Sequence, residues 1–203
     1  ILGKEFDYSL AACIACCDIA PFEDAERRHI IRSTDVPGRL VFVHDKLRET
    51  LLGMLNAEER RLACLHVAAL VEQRSPDKTF DLAYYFEAAG EYARALPYAL
   101  KAAEEARARA ALQIAEQQYL IALKGLSERD RDTAYRIELG LGEVLMLRGS
   151  YQEALQHFAE ASHFAGADLE SIAVDVRVCE THFKMGQAGR AGEAVARALA
   201  RLG

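Results

Sequence analysis

Apolar positions change their spacing twice along this chain, and the changes predict its elements. Glu5 to Cys17 is mostly apolar and predicts one short helix. Pro21 suits a helix start, and Phe22 to Ile31 reads as a second, charge-rich helix. The runs Ile30 to Thr34 and Arg39 to Val43 then flank Asp35-Val36-Pro37-Gly38, the signature of a β-hairpin. Two helices followed by a hairpin outline a winged helix. From Asp45 the spacing becomes helical, with Leu47, Leu51, Leu52 and Leu55 in register. Asn56, with Glu59 three residues later, predicts a capping box opening a helix from about Ala57 to Arg74. Ser75-Pro76-Asp77 breaks that helix and marks a boundary, giving residues 1–75 and 76–203 as the two regions.

Beyond the break the chain repeats itself. Gly90-Glu91-Tyr92-Ala93-Arg94-Ala95 recurs as Gly149-Ser150-Tyr151-Gln152-Glu153-Ala154, with a fainter echo at Gly186. Glycine permits a tight turn between antiparallel helices, tyrosine covers it, and alanine lets the helices approach closely. Leu112, Ala115, Tyr119 and Ala122 read as the second helix of a degenerate copy. The pattern resembles the tetratricopeptide repeat, a helix–turn–helix unit of about 34 residues. About seven helices are expected after residue 78. The fold class is therefore mainly all-α: a tetratricopeptide-like α-solenoid preceded by a small winged-helix-like region with one β-hairpin.

Composition narrows the classes. Twenty-five basic and 31 acidic residues give a net charge of −6, so a phosphate backbone would be repelled overall. At 51% hydrophobic and 28% charged, the 203 residues can bury a core and stay in solution. No apolar run reaches the roughly 20 residues of a membrane helix. The 5 cysteines are odd in number and unevenly spread, which reads as reduced thiols in a cytoplasmic protein. The chain opens on Ile1, which reads as a piece of something longer.

No enzyme motif is present: no phosphate loop ending in Gly-Lys-Ser/Thr, no His-Glu-x-x-His and no Gly-x-Ser-x-Gly. No catalytic residue and no metal ligand set is assigned. Cys13-x-x-Cys16-Cys17 lacks a second ligand pair and reads as buried small hydrophobes. Cys179 and His182, one helical turn apart, do not make a site. His157 and His163 read as solvated surface. So do Glu104-Glu105 and Glu58-Glu59, and Arg107, Arg109, Arg129 and Arg131 read as surface pairs.

The informative motif is Phe42-Val43-His44-Asp45-Lys46-Leu47-Arg48-Glu49, followed by Glu59-Arg60 and His66. At a strand-to-helix junction His44 can meet an anion, cap the helix or pin the hairpin to it, while Asp45 suits the helix dipole. With Ile1-Leu2-Gly3-Lys4-Glu5-Phe6-Asp7 and Leu82-Ala83-Tyr84-Tyr85-Phe86-Glu87-Ala88-Ala89-Gly90, this resembles the segment after the ATPase core of STAND-type signalling ATPases, which include bacterial transcription regulators and kinase-linked sensors. The resemblance covers residue 1 to about 126. It implies that His44, in a Met-His-Asp-like motif standing here as Val43-His44-Asp45, faces the β-phosphate of ADP when an ATPase domain is present. This chain carries no phosphate loop and so no cofactor of its own.

The repeats carry a second expectation. Tetratricopeptide arrays bind a protein or peptide in a concave groove lined by the first helix of each pair. The register names Tyr84, Glu87, Arg136, Glu143, Met146, Glu180, Phe183 and Lys184 as groove residues. The chain is thus expected to be a non-catalytic regulatory fragment that binds a protein or inducer and couples it to an ATPase domain. The alternatives are a stand-alone repeat scaffold and, behind it, a winged-helix DNA-binding regulator using Arg27 and Arg28.

Overall fold

The computed structural model describes residues 3–15, 18–127 and 130–202. The chain divides into two compact units, Ile1–Lys78 with Ala88–Gly90, and Thr79–Glu87 with Glu91–Gly203.

The N-terminal unit runs β1 (Glu5–Asp7), α1 (Tyr8–Ala15), α2 (Ala20–Arg27), β2 (Ile31–Ser33), β3 (Arg39–Phe42), α3 (Asp45–Gly53) and α4 (Ala57–Arg74). The predicted hairpin is β2–β3, with Arg32 opposite Val41. Gly38 takes the left-handed conformation (φ 79°) that its turn requires. A third strand joins it: β1 pairs antiparallel with β3, Phe6 opposite Leu40, giving the order β1-β3-β2.

That strand corrects the helix expected over Glu5–Cys17. Phe6 is buried while Glu5 is exposed, the alternation of a half-buried strand. Asp7 then stops the strand and starts α1: its Oδ1 accepts from the Ser9 hydroxyl at 2.6 Å and the Leu10 N–H at 3.0 Å. Both bonds favour the carboxylate, and against a small opposing effect of burial they hold Asp7 below the usual carboxylate range. Cys16 and Cys17, like Ile1, Leu2 and Arg129, lie outside the described residues.

The second helix also ends earlier than its sequence suggests. His29 adopts a left-handed conformation (φ 55°) and the Ile30 N–H donates to the Ala25 carbonyl at 2.9 Å, a left-handed helix stop. This frees Ile31 to enter β2. The unit's core joins Phe6, Ala11, Ile31 and Leu40, with Tyr8, Phe22, Ala25, Ile30 and Phe42 against them. At α4 the expected capping box is present: Asn56 Oδ1 accepts from the Glu59 N–H at 2.9 Å, and Glu59 accepts from the Asn56 N–H at 2.8 Å.

The C-terminal unit is all-α. Among the described residues it contains α5 (Thr79–Ala88), α6 (Tyr92–Ala108), α7 (Leu112–Lys124), α8 (Arg131–Arg148), α9 (Tyr151–Phe164), α10 (Asp168–Lys184) and α11 (Ala188–Ala200). Helices α6 and α7, α8 and α9, and α10 and α11 pack closely in consecutive pairs, and each pair leans on the next through α7–α8 and α9–α10. This is the packing of an α-solenoid. Helix α5 joins the array through α6: Phe86 stacks on Tyr98, with ring centroids 5.9 Å apart, and Arg94 lies over the Phe86 ring.

Four of the turns share one construction. Gly90, Ala110, Gly149 and Gly186 are all left-handed, and the next N–H (Glu91, Ala111, Ser150, Gln187) reaches back to the Phe86, Ala106, Leu145 and His182 carbonyls, each at 2.9 Å. Sequence inspection finds the three glycine turns. The fourth is hidden because alanine occupies its left-handed position. The core is built from alanines at the helix contacts (Ala83, Ala99, Ala103, Ala115, Ala154) and a few large plugs, among them Tyr119, Ile137 and Phe158. Gly142 exists to seat one plug: a Cβ there would fall 2.5 Å from Phe158 Cε1.

Candidate interaction face on the helical array

The pairing sets which helices are equivalent. The sequence register assigns α6 as the second helix of the Gly90 copy, yet α6 packs closely on α7 as a first helix does. Helices α6, α8 and α10 therefore stand in one row, α6 touching α8 and α8 touching α10.

Charge runs along this row from helix to helix. Arg136 on α8 donates to Glu104 on α6 at 2.6 Å. Arg107 on α6 pairs with Glu143 on α8, whose other carboxylate oxygen accepts from Arg177 Nε on α10 at 2.7 Å. Arg177 continues to Glu180 at 3.3 Å, and Lys184 meets Glu180 at 3.4 Å. Glu143 is only 9% exposed and is held between two guanidinium groups, so its burial is compensated. Burial alone would lower the Arg177 pKa, but hydrogen bonds and attraction from Glu143 and Glu180 outweigh it and raise it. Beneath the row, burial raises the phenol of Tyr119 and keeps it neutral.

Apolar side chains share the face. Between α8 and α10 a shallow cavity of about 270 Å³ is lined by Leu139, Glu143, Ala173, Val176 and Arg177. Val176 is half-exposed, and Phe183, two turns further along α10, is 74% exposed. Exposed apolar side chains thus stand beside ion-paired charges on the same helices.

The structure thus joins Glu143, Glu180 and Lys184 in one chain of ion pairs, with Phe183 next to Lys184 on α10, and sets Arg136 in a separate pair with Glu104 between α8 and α6. Met146 is buried in the core. Tyr84 and Glu87 stand apart on α5: Tyr84 is exposed with its ring edge-on to Tyr85, and Glu87 accepts from Lys124 of α7 at 2.6 Å. Three residues of the row, Glu104, Arg107 and Arg177, are not among the sequence-derived groove residues. A signal for them exists. The paired charges lie 32, 36 and 34 residues apart, close to one repeat, so opposite charges at a repeat's separation mark neighbouring first helices.

Other candidates resolve differently from their sequence expectations. His157 is half-buried and its Nδ1 lies 2.7 Å from the buried Glu138 carboxylate, a structural pair rather than a solvated residue. Cys13 Sγ lies 2.9 Å from Arg74, while Cys64 is buried, which raises its thiol. His182 is engaged by Gln187 at 2.9 Å. Arg27 and Arg28 both pair with Asp24 on their own helix.

His44 begins α3 in extended conformation and its side chain does not cap the helix. The imidazole is exposed and makes no hydrogen bond to a described residue, while neighbouring Asp45 pairs with Lys4 at 3.1 Å. No helix among the described residues is long and apolar enough to cross a membrane. Compared with known proteins, the chain matches no protein-family model and no curated protein.

Proposed function

We propose that this chain is a non-catalytic regulatory module whose helical array docks a protein segment on the α6–α8–α10 face. The observation that carries the reading is the pair Arg136–Glu104 and the ion-pair chain Arg107–Glu143–Arg177–Glu180–Lys184 across the three helices, with the protruding Phe183 next to Lys184. An extended segment with alternating charge and an apolar anchor complements it: its charges exchange with the exposed members, Arg136, Glu180 and Lys184, and its anchor covers Phe183 and Val176.

The N-terminal unit is the coupling element in this reading. By resemblance to STAND-type ATPases, a docked segment alters how the winged-helix-like unit holds a nucleotide-binding domain, and His44 reads the β-phosphate of its ADP. An exposed, uncommitted imidazole supports that role, since a histidine already spent on a cap or hairpin would not be free for it. The pairing of Arg27 and Arg28 within α2 weighs against DNA contact, because phosphates would have to displace Asp24 first.

Two experiments test the two halves. A random-peptide display library is selected on the 203-residue chain and counter-screened on a Phe183→Ser, Lys184→Glu double variant. Selected peptides should bind the variant at least about tenfold more weakly. Equal binding to both proteins sinks the docking face. For the switch, the reading frame upstream of Ile1 should encode a Gly-Lys-Ser/Thr phosphate loop, and His44→Ala in that longer protein should speed ADP release. Unchanged ADP retention and output would remove the nucleotide role.

A further inference from the structure

A second cavity lies wholly within the N-terminal unit and is unrelated to the docking face. Its volume is about 340 Å³, within the range of small-ligand pockets. One wall is the sheet and first helices: Phe6 and Phe42, Ala11, Ile14 and Ala15, and Phe22. The other wall is α3 and the residues just after it, where Leu51, Leu52 and Leu55 join Arg48 on one helical face.

Two observations point to an occupant. First, the α3 leucines do not join the packed core of this unit: Leu51 is 48% exposed, and Leu52 and Leu55 are only half-buried. An apolar helix face opposite three phenylalanines normally closes on them; here the space between is left open. Second, Arg48 is the only charged residue among the described residues that line the cavity. Its Nε is shut off from water and has no hydrogen-bond partner. A guanidinium N–H buried without an acceptor is costly, and an anionic oxygen is the acceptor that fits it.

The geometry points to this cavity as a binding site for an amphipathic monocarboxylic acid, a medium-length acyl or aromatic acid, with its carboxylate on Arg48 and its body among Phe6, Phe22, Phe42 and the α3 leucines. The charge count selects the class. One guanidinium in an otherwise apolar wall balances one negative charge. A phosphate dianion would bury a charge without compensation, and an uncharged hydrocarbon would leave Nε unsatisfied. Occupancy would tie α3, and with it the His44 junction at its start, to the sheet.

Calorimetric titration of the full chain with decanoate and, separately, decan-1-ol tests this. Decanoate should bind saturably at one site and at least about tenfold more tightly than the alcohol. Arg48→Met should erase that difference, leaving alcohol binding as it was, and Arg48→Lys should restore part of it. Ala15→Phe, which fills the cavity, should abolish both. Absence of saturable decanoate binding to the wild-type chain overturns the proposal. So does a decanoate affinity that Arg48→Met leaves unchanged.

Discussion

The helical array and the N-terminal unit are made from similar residues but close their cores in different ways. In the array, α8 buries eleven of its positions against α7, α9 and neighbouring helices, and Tyr119 and Phe158 are plugs with almost no exposed surface. In the N-terminal unit, the described residues of the sheet and α1 share a cluster of four buried side chains, with Phe22 and Ala25 of α2 against it, α4 buries Cys64, Val67, Ala68 and Val71, and the apolar face of α3 lines a cavity. The array is a sum of near-identical contacts, each helix pair supported by the next. In the N-terminal unit the open space lies between α3 and the sheet.

Removing a plug should break the contrast most sharply. Phe158 is fully buried and rests on the backbone of Gly142. Phe158→Ala should destabilise the array by about 3–5 kcal/mol, because the surrounding alanines cannot collapse into the space. Urea unfolding with hydrogen exchange resolved by segment should show lost protection in α7–α9 and little change in β1–β3. A loss spread equally over both units would mean that they are not separately stabilised.

The same contact can be overfilled. Gly142→Ala adds a methyl group against the Phe158 ring. It gains about 1 kcal/mol of helix propensity and loses about 1–3 to the clash. A net loss of roughly 1 kcal/mol is expected, and a net gain would show that the seat is slacker than its geometry.

The smaller unit has its own lever in Asp7. Asp7→Ala removes the acceptor for the Ser9 hydroxyl and the Leu10 N–H at the start of α1, and should cost about 1 kcal/mol near neutral pH. Asp7 is held below the usual carboxylate range in the folded chain. Its contribution is therefore complete above the unfolded carboxylate pKa of about 3.9 and fades as pH falls through the lower folded value. Wild type and variant should converge in stability in strong acid. A difference that persists there would assign the effect to packing.

What was legible in the sequence follows the same division. Helix order, the β2–β3 hairpin, the Asn56–Glu59 cap and three of the turns each leave a local mark, a period or a pair of residues a few positions apart. The strand β1 leaves almost none, because three residues beside an apolar helix carry too little alternation to stand out. Its partner, β3, is more than thirty residues away. The candidate face was half legible. Arg136, Glu143, Glu180 and Lys184 follow from helical register, whereas Glu104 and Arg107 depend on α6 being a first helix, which the hidden turn at Ala110 obscures; Arg177 sits on α10, one turn before Glu180, and its tie to Glu143 leaves no mark in the local sequence. The cavity was not legible, since Arg48 and the leucines beside it read equally well as a filled core.

That hidden turn gives the smallest effect and the most direct reading of why the repeat is hard to see. Ala110 holds φ 57° where Gly90, Gly149 and Gly186 hold similar values, and the bond that follows it, Ala111 N–H to Ala106, is as long as theirs. The left-handed conformation costs alanine about 1–2 kcal/mol that glycine does not incur. Glycine returns about 0.5–1 of this through its greater freedom in the unfolded chain. Ala110→Gly should therefore raise the array's stability by roughly 0.5 kcal/mol, while Gly149→Ala should lower it by a similar or larger amount. Opposite signs at two left-handed turns closed by the same hydrogen bond, read from urea midpoints at unchanged slope, would show that the α6–α7 pair is built like α8–α9. Equal signs would mean that the fourth turn relaxes when freed, and that the array has two constructions rather than one.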